Sequence, residues 1–225
     1  MKKKRLVALA IMLAAVITVS SAYAYFTATD EKINTFTVGD LEIKLTEPGW
    51  TQPTDPIVPG DVFVKNPTVK SEKGDSYLRV IMTIEKTTAT IEGKTDAQRF
   101  TQILKTLYHD TGSNIVVGNQ YKESALAGMS GVLNYYNTAK FELQSTLSSP
   151  GKYVFYYKDA TDGYILKDGK SAVLFTNVVI PSDWGSDEVK LIGDYKIIIR
   201  VEAIQSKGFA NYSAAFSALN TELGL

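Results

Sequence analysis

The chain has one histidine, His109, and no cysteine. Those two counts bound its chemistry. Disulfide frameworks, thiolate zinc sites and cysteine nucleophiles all need a thiol and are excluded. A helical zinc-protease site needs two histidines one turn apart with a glutamate, which a single histidine cannot supply. A serine triad needs one imidazole, but its nucleophile sits at a G-x-S-x-G turn. The nearest run here, Gly128-Met129-Ser130-Gly131, has the wrong spacing and reads as a loop. No glycine-rich phosphate loop with its lysine is present. His109 is followed by Asp110 at the end of a predicted helix, where an imidazolium gains from the helix dipole, so a structural role is expected. Asp159, Asp162 and Asp168 fall close together. Acidic turns can hold calcium, but this spacing does not match an EF-hand loop, and aspartate is an ordinary turn residue. Asp183-Trp184 sits in a Pro-Ser-Asp-Trp loop, where a tryptophan usually covers a core edge. The sequence therefore assigns no catalytic residue, no cofactor and no metal, and reads as a non-enzyme.

The elements that would position any site are mostly strands. Phe36, Val38, Leu41, Ile43 and Leu45 are apolar, with a phase shift near Gly39-Asp40 of the kind a bulge produces. Leu78, Val80, Met82 and Ile84 alternate with Tyr77, Arg79, Ile81, Thr83 and Glu85. Residues 153–157 and 172–180 are apolar runs with few polar interruptions, as in strands covered on both faces. Tyr195, Ile197, Ile199, Val201 and Ala203 predict a long alternating strand with Lys196, Arg200 and Glu202 outward. Residues 46–60 hold four prolines and two glycines, so they form a loop that cannot enter a sheet. Pro150-Gly151, Asp162-Gly163 and Asp168-Gly169 are turn signals.

Two segments have helical spacing instead. Phe100, Ile103, Leu104 and Leu107 follow i, i+3, i+4, i+7, and Thr95 with Gln98 forms a capping-box pattern, which predicts a helix over 96–109. Tyr212, Ala215, Phe216 and Leu219 predict a short C-terminal helix. Many short strands with one inserted helix predict a mostly β chain, a jelly-roll-like β-sandwich with an amphipathic helix between strands. No internal repeat or linker divides it, so residues 25–225 are expected to form one domain.

The first two dozen residues have a different character. Lys2, Lys3, Lys4 and Arg5 form a basic cluster, Leu6 to Val19 is apolar except for Thr18, and Ala22-Tyr23-Ala24 follows. This is the three-part pattern of a secretory signal peptide over residues 1–24. The apolar run is shorter than the roughly 20 residues a bilayer span requires. Cleavage is expected after Ala24, with Ala22 and Ala24 as the small residues read by the peptidase and Tyr25 as the new N-terminus. The full chain has 24 basic and 24 acidic residues. Removing the four basic residues of the leader leaves 20 against 24, a net charge of −4, with no bias toward nucleic acid. Membrane contact is expected only before cleavage.

The freed segment, residues 25–36, begins with two aromatics and has no proline or glycine. As a strand its twelve residues reach about 40 Å. A liberated β-prone segment pairs with a sheet edge, either its own or a neighbour's by strand addition. Tyr25, Phe26, Ala28, Ile33 and Phe36 are the candidate interface residues of such a donor strand.

The residues also resemble a known group. Ala24-Tyr25-Phe26-Thr27, Asn34-Thr35-Phe36-Thr37-Val38-Gly39, Leu41-Glu42-Ile43, Glu47-Pro48, Val58-Pro59-Gly60-Asp61, Lys65-Asn66-Pro67-Thr68-Val69 and the late stretch from Ala203 to Phe209 look like the TasA/camelysin-like family of exported proteins. The resemblance runs over most of the chain and is strongest in its first 70 residues. It implies a jelly-roll domain at the cell surface or in a biofilm matrix. It further implies processing by a SipW-type signal peptidase, and polymerisation with other copies by donation of the N-terminal strand. A related minor or anchoring subunit is a further partner it suggests. The camelysin name implies a zinc endopeptidase, which the lone histidine does not support. The expected function is thus a secreted fibre subunit. The alternative is a monomeric exported binding module or adhesin, and a secreted protease is a weaker one.

Overall fold

The computed structural model describes residues 30–32, 41–86, 91, 93–110, 122 and 136–223. In chain order its strands are β1 (Asp30–Lys32), β2 (Glu42–Thr46), β3 (Val62–Val64), β4 (Thr68–Lys73), β5 (Ser76–Lys86), β6 (Leu107–Tyr108), β7 (Phe141–Leu143), β8 (Lys152–Tyr157), β9 (Ile165–Leu166), β10 (Ser171–Val173), β11 (Asn177–Val179) and β12 (Tyr195–Gln205). Its helices are α1 (Asp96–Leu104), α2 (Ser186–Ile192) and α3 (Tyr212–Leu223). The chain is mostly β, as the sequence predicts. A six-stranded sheet has the order β1-β12-β5-β8-β7 with β9 on one end of β5, and two three-stranded sheets have the orders β10-β4-β2 and β3-β11-β6. One core joins all three sheets, an arrangement compatible with a β-sandwich. No helix among the described residues is long and apolar enough to cross a membrane.

The alternation in β5 and β12 sets the layers. Leu78, Val80, Met82 and Ile84 share one face with Tyr195, Ile197, Ile199 and Val201, and that face meets Ile43, Leu45 and Val69 of the smaller sheet. Trp184 is buried at the margin of this core. The opposite face of the large sheet carries Tyr77, Val154 and Tyr156, and α3 lies on it through Ala215, Phe216 and Leu219. The Tyr156 and Phe216 rings stack at 4.5 Å and those of Tyr164 and Tyr212 at 3.9 Å.

That roof changes the fate of residues expected outward on β12. Glu202 is not solvated. It is buried under α3 with Arg79, whose Nε donates to Oε2 at 2.5 Å, while the Arg200 guanidinium lies 2.7 Å from Oε1. The Arg79 guanidinium also stands over the Phe216 ring at 5.3 Å. Alternation shows which residues leave the first core, but it cannot show that a distant helix covers them.

Other expectations need correction in detail. The capping box forms as predicted, with Gln98 N–H donating to Thr95 Oγ1 at 3.2 Å and Thr95 N–H to Gln98 Oε1 at 2.8 Å. The helix then ends at Leu104 and does not reach residue 109, because Thr106 donates its hydroxyl back to the Ile103 carbonyl and Leu107–Tyr108 joins β11 as a strand. His109 therefore follows a strand and gains nothing from a helix C-terminus. The run 172–180 is not one strand. It breaks at Leu174 and Phe175, which are consecutive and both buried, so β10 and β11 enter different sheets. The register shift in β2 falls between Glu42 and Ile43. α2 has no forerunner in the sequence pattern.

Pro150-Gly151 is a turn as predicted, closed by the pairing of Ser149 with Lys152, with Gly151 at φ 84°. A Cβ on Gly151 would stand 2.8 Å from the Phe100 ring. Gly151→Ala therefore adds both left-handed backbone strain and a clash with α1, and it is expected to destabilise the fold by about 1–3 kcal/mol in chemical denaturation. Glu202→Leu strands Arg79 in a buried site and is expected to cost about 3–5 kcal/mol. The double variant Arg79→Met with Glu202→Leu is expected to recover most of that loss, since it leaves no unpaired charge.

Candidate functional site

Among the described residues, the six-stranded sheet ends in β12, apart from the three residues of β1. β12 is paired along one side with β5 over its full length, Tyr195 with Lys86 through Gln205 with Ser76. Along the other side, among the described residues, only β1 pairs with it. That pairing is parallel, with Asp30 opposite Ile199, Glu31 opposite Arg200 and Lys32 opposite Val201. The residues of β1 belong to the segment that the sequence singles out as a candidate donor strand. The other named residues, Ala22, Ala24, Tyr25, Phe26, Ala28, Ile33 and Phe36, lie outside the described residues. Beyond β1, the described residues leave that side of β12 as a row of backbone donors and acceptors, the kind of row that accepts a further strand. The sequence predicts the strand itself but carries no signal that it lies at an edge.

The start of β12 is held by an arginine from another element. Arg99 of α1 is fully buried, and its guanidinium donates to the carbonyls of Leu191 at 3.3 Å and Ile192 at 3.2 Å. These are last-turn carbonyls of α2, which have no partner within their own helix and carry the negative end of its dipole. Gly193 at φ 55° then turns the chain into Asp194 and β12. The Tyr195 hydroxyl, in hydrogen-bond contact with Thr106 Oγ1 at 3.3 Å, fixes the first residue of the strand, and burial pushes that phenol's pKa up.

A second anchor holds the proline-rich loop between β2 and β3. Lys65 is buried, with its ammonium 2.9 Å and 3.1 Å from the two carboxylate oxygens of Glu47 and 4.4 Å above the Trp50 ring. Burial lowers the pKa of this amine, and Glu47 works against that. Further along, Gly60 N–H donates to the Ile180 carbonyl at 2.8 Å. Between this loop, α2 and the start of β12 lies a cavity of about 480 Å3, lined by Asp55, Ile57, Val189, Asp194 and Tyr195 among others. It opens where β12 begins. Nothing in the sequence pattern points to it.

The groups first considered for chemistry are dispersed. His109 is half-buried, its pKa lowered by burial, and its Nδ1 makes no hydrogen bond among the described residues. Asp159 accepts from the Thr161 N–H at 2.8 Å and the Asp162 N–H at 3.3 Å, and it pairs with Lys140. Asp75 accepts from the Asp168 N–H at 2.9 Å and from Lys167 at 2.9 Å. These carboxylates order turns. Among the described residues no three histidine, aspartate or glutamate side chains gather as metal ligands would.

Comparison of the chain with protein-family models, with curated proteins and with solved structures gives no match.

The Lys140 ammonium and two backbone N–H groups hold the Asp159 carboxyl at a pKa of about 2, below its ordinary 3.8. Its folded value lies below its unfolded value, so its contribution to stability is complete above about pH 4 and is lost as pH falls toward 2. Asp159→Asn is expected to flatten the fall of the thermal midpoint between pH 4 and pH 2 relative to the unaltered chain.

Proposed function

We propose that this chain is a secreted structural subunit of a cell-surface or biofilm-matrix fibre, assembled when residues 25–36 of one copy pair with the β12 edge of the next. The observation that carries this reading is the long outer edge of β12, met among the described residues by three residues from that same N-terminal segment. A strand of twelve residues matches an acceptor of eleven, and strand addition supplies affinity through backbone hydrogen bonds with side-chain anchors at alternate positions. The leader-like pattern of residues 1–24 supports release of the segment after export, and the motifs shared with TasA/camelysin-like proteins support the same assembly. In this reading the partners are other copies of the chain, a SipW-type signal peptidase and a related anchoring subunit.

A second reading is favoured by the same contact. Asp30–Lys32 lies on β12 of its own chain, which fits a monomeric exported binding module with the strand folded back.

Filament formation separates the two. Residues 25–225 are expected to give filaments by electron microscopy as concentration rises, and a chain beginning at Asn34 is expected to give none. Undiminished filaments from the shortened chain would reject strand donation. A single monomeric elution position for residues 25–225 at every concentration would establish the folded-back form.

A further inference from the structure

We propose that Tyr164 and Tyr212 form an oxidative crosslinking site, joined by a carbon–carbon bond between their rings when a haem peroxidase with hydrogen peroxide takes one electron from each, Glu142 receiving the proton of Tyr164. The bond ties α3 to the large sheet. The site does not depend on strand donation.

Tyr164 immediately precedes β9, Tyr212 opens α3 and Glu142 lies in β7. The Tyr164 hydroxyl donates to Glu142 Oε2 at 2.7 Å, within the range of a charge-assisted bond. Its ring stacks on that of Tyr212, with centroids 3.9 Å apart and planes 28° from parallel. The Tyr212 hydroxyl lies close enough to act on that of Tyr164. The two phenols are thus stacked with their hydroxyl ends together, which sets the ortho carbons of one ring beside those of the other. Both side chains are half-buried, so an oxidant in solution reaches them. Tyr156 also meets Tyr212, but it is buried and stands at 5.7 Å and 72°, nearly edge-on, where ortho carbons do not face one another. The chain has no cysteine, so no disulfide can fix α3. The stacked pair is placed to supply a covalent tie of another kind.

The carboxylate answers the difficulty of the reaction. The hydrogen bond to Glu142, then burial, raises the pKa of the Tyr164 phenol, so little phenolate exists at neutral pH. A neutral phenol gives up an electron readily only if its proton leaves as well, because the radical cation is a strong acid. Glu142 stands where that proton goes. Each phenol loses one electron and one proton. Tyr164 passes its proton to Glu142 and then to water, and Tyr212 passes its proton to water. The two phenoxyl radicals couple at ortho carbons, and the hydrogen on each of those carbons moves to the ring oxygen, restoring both phenols. The two electrons and two protons reduce one hydrogen peroxide to water. One carbon–carbon bond forms and the protein loses two hydrogen atoms.

The test treats the full chain, at a concentration low enough to keep molecules apart, with a haem peroxidase and hydrogen peroxide. A monomer lighter by two hydrogen atoms, with dityrosine fluorescence, is expected. Trypsin cleaves after Lys158, Lys167 and Lys207, and the resulting peptides 159–167 and 208–225 each carry one tyrosine. These two peptides are expected to be recovered joined. Tyr164→Phe and Tyr212→Phe keep the stacked rings and are each expected to lose the dityrosine of the monomer. Glu142→Gln keeps an acceptor but not a base, and it is expected to slow crosslinking several-fold at neutral pH. That gap is expected to close as the pH nears the ordinary tyrosine pKa of about 10, where the phenol gives its proton to water unaided. Dityrosine formed only between molecules, or only from other tyrosines, overturns the site. Undiminished monomer dityrosine in either phenylalanine variant does so too, and an equal rate in Glu142→Gln overturns the role given to Glu142. Filaments do not enter this readout, so the site and strand donation stand or fall separately.

Discussion

The antiparallel pairing of β5 with β12, eleven residues on each strand, is the constraint from which the other features follow. It fixes which side chains share a face. In this register Val80 sits opposite Val201 and Ile84 opposite Ile197, so both strands feed the same core. A slip of one residue would exchange that face with the one under α3 and bring Arg79 and Glu202 into the apolar interior. The buried pair of Arg79 with Glu202, directly opposite in the ladder, opposes such a slip because its charges meet in one register only. The ion pair is therefore better understood as a register device than as a source of net stability, since buried pairs recover little beyond their desolvation cost.

The same strand pair explains why the two outer surfaces of the large sheet differ in consequence. β8 covers the far side of β5, and α3 covers the face away from the main core. Among the described residues, what is left is the outer edge of β12 beyond β1. Its beginning is set by Arg99, which holds the carbonyl end of α2, and by the Gly193 turn. The proline-rich loop is anchored at its start by Lys65, Glu47 and Trp50. Two buried cations, each satisfied by groups from another part of the chain, thus anchor the α2–β12 junction and the proline-rich loop. Neither group is reached by a local pattern, because each pairing spans many residues of sequence.

That separation in sequence is also what limited legibility. Local signals are legible. The capping box of α1, the Pro150-Gly151 turn, the alternation of β5 and β12 and the helical spacing of α3 each depend on residues within a few positions of one another. Failures came where a distant element decided. The helix predicted to run to His109 stops because β11 supplies strand partners for Leu107 and Tyr108. The apolar run 172–180 reads as one strand, but it divides because its two halves pair with β4 and with β3. Glu202 reads as solvent-facing until α3 is placed over it. The cavity combines a loop, a helix with no forerunner in the sequence pattern and a strand terminus, and no periodicity joins those three.

Strand exchange of the kind proposed along β12 would have an energetic condition to meet. A segment folded back on its own chain benefits from an effective concentration of order 1 mM, which the segment of a neighbour present at about 1 μM must overcome at a cost of about 4 kcal/mol. Among the described residues Asp30–Lys32 meets three of the eleven positions of β12, and a longer pairing would add backbone bonds. Each is worth about 0.5–1.5 kcal/mol net, while fixing a residue's backbone costs about 1–2 kcal/mol. These two nearly cancel, and added length alone does not favour the neighbour. The surplus has to come from side chains and termini, where one buried large apolar group contributes about 1.5–3 kcal/mol. Two such groups together contribute about 3–6 kcal/mol, comparable with the concentration term. Where a donated strand outcompetes the folded-back one, the balance is thus decided by the apolar side chains it buries and not along its backbone.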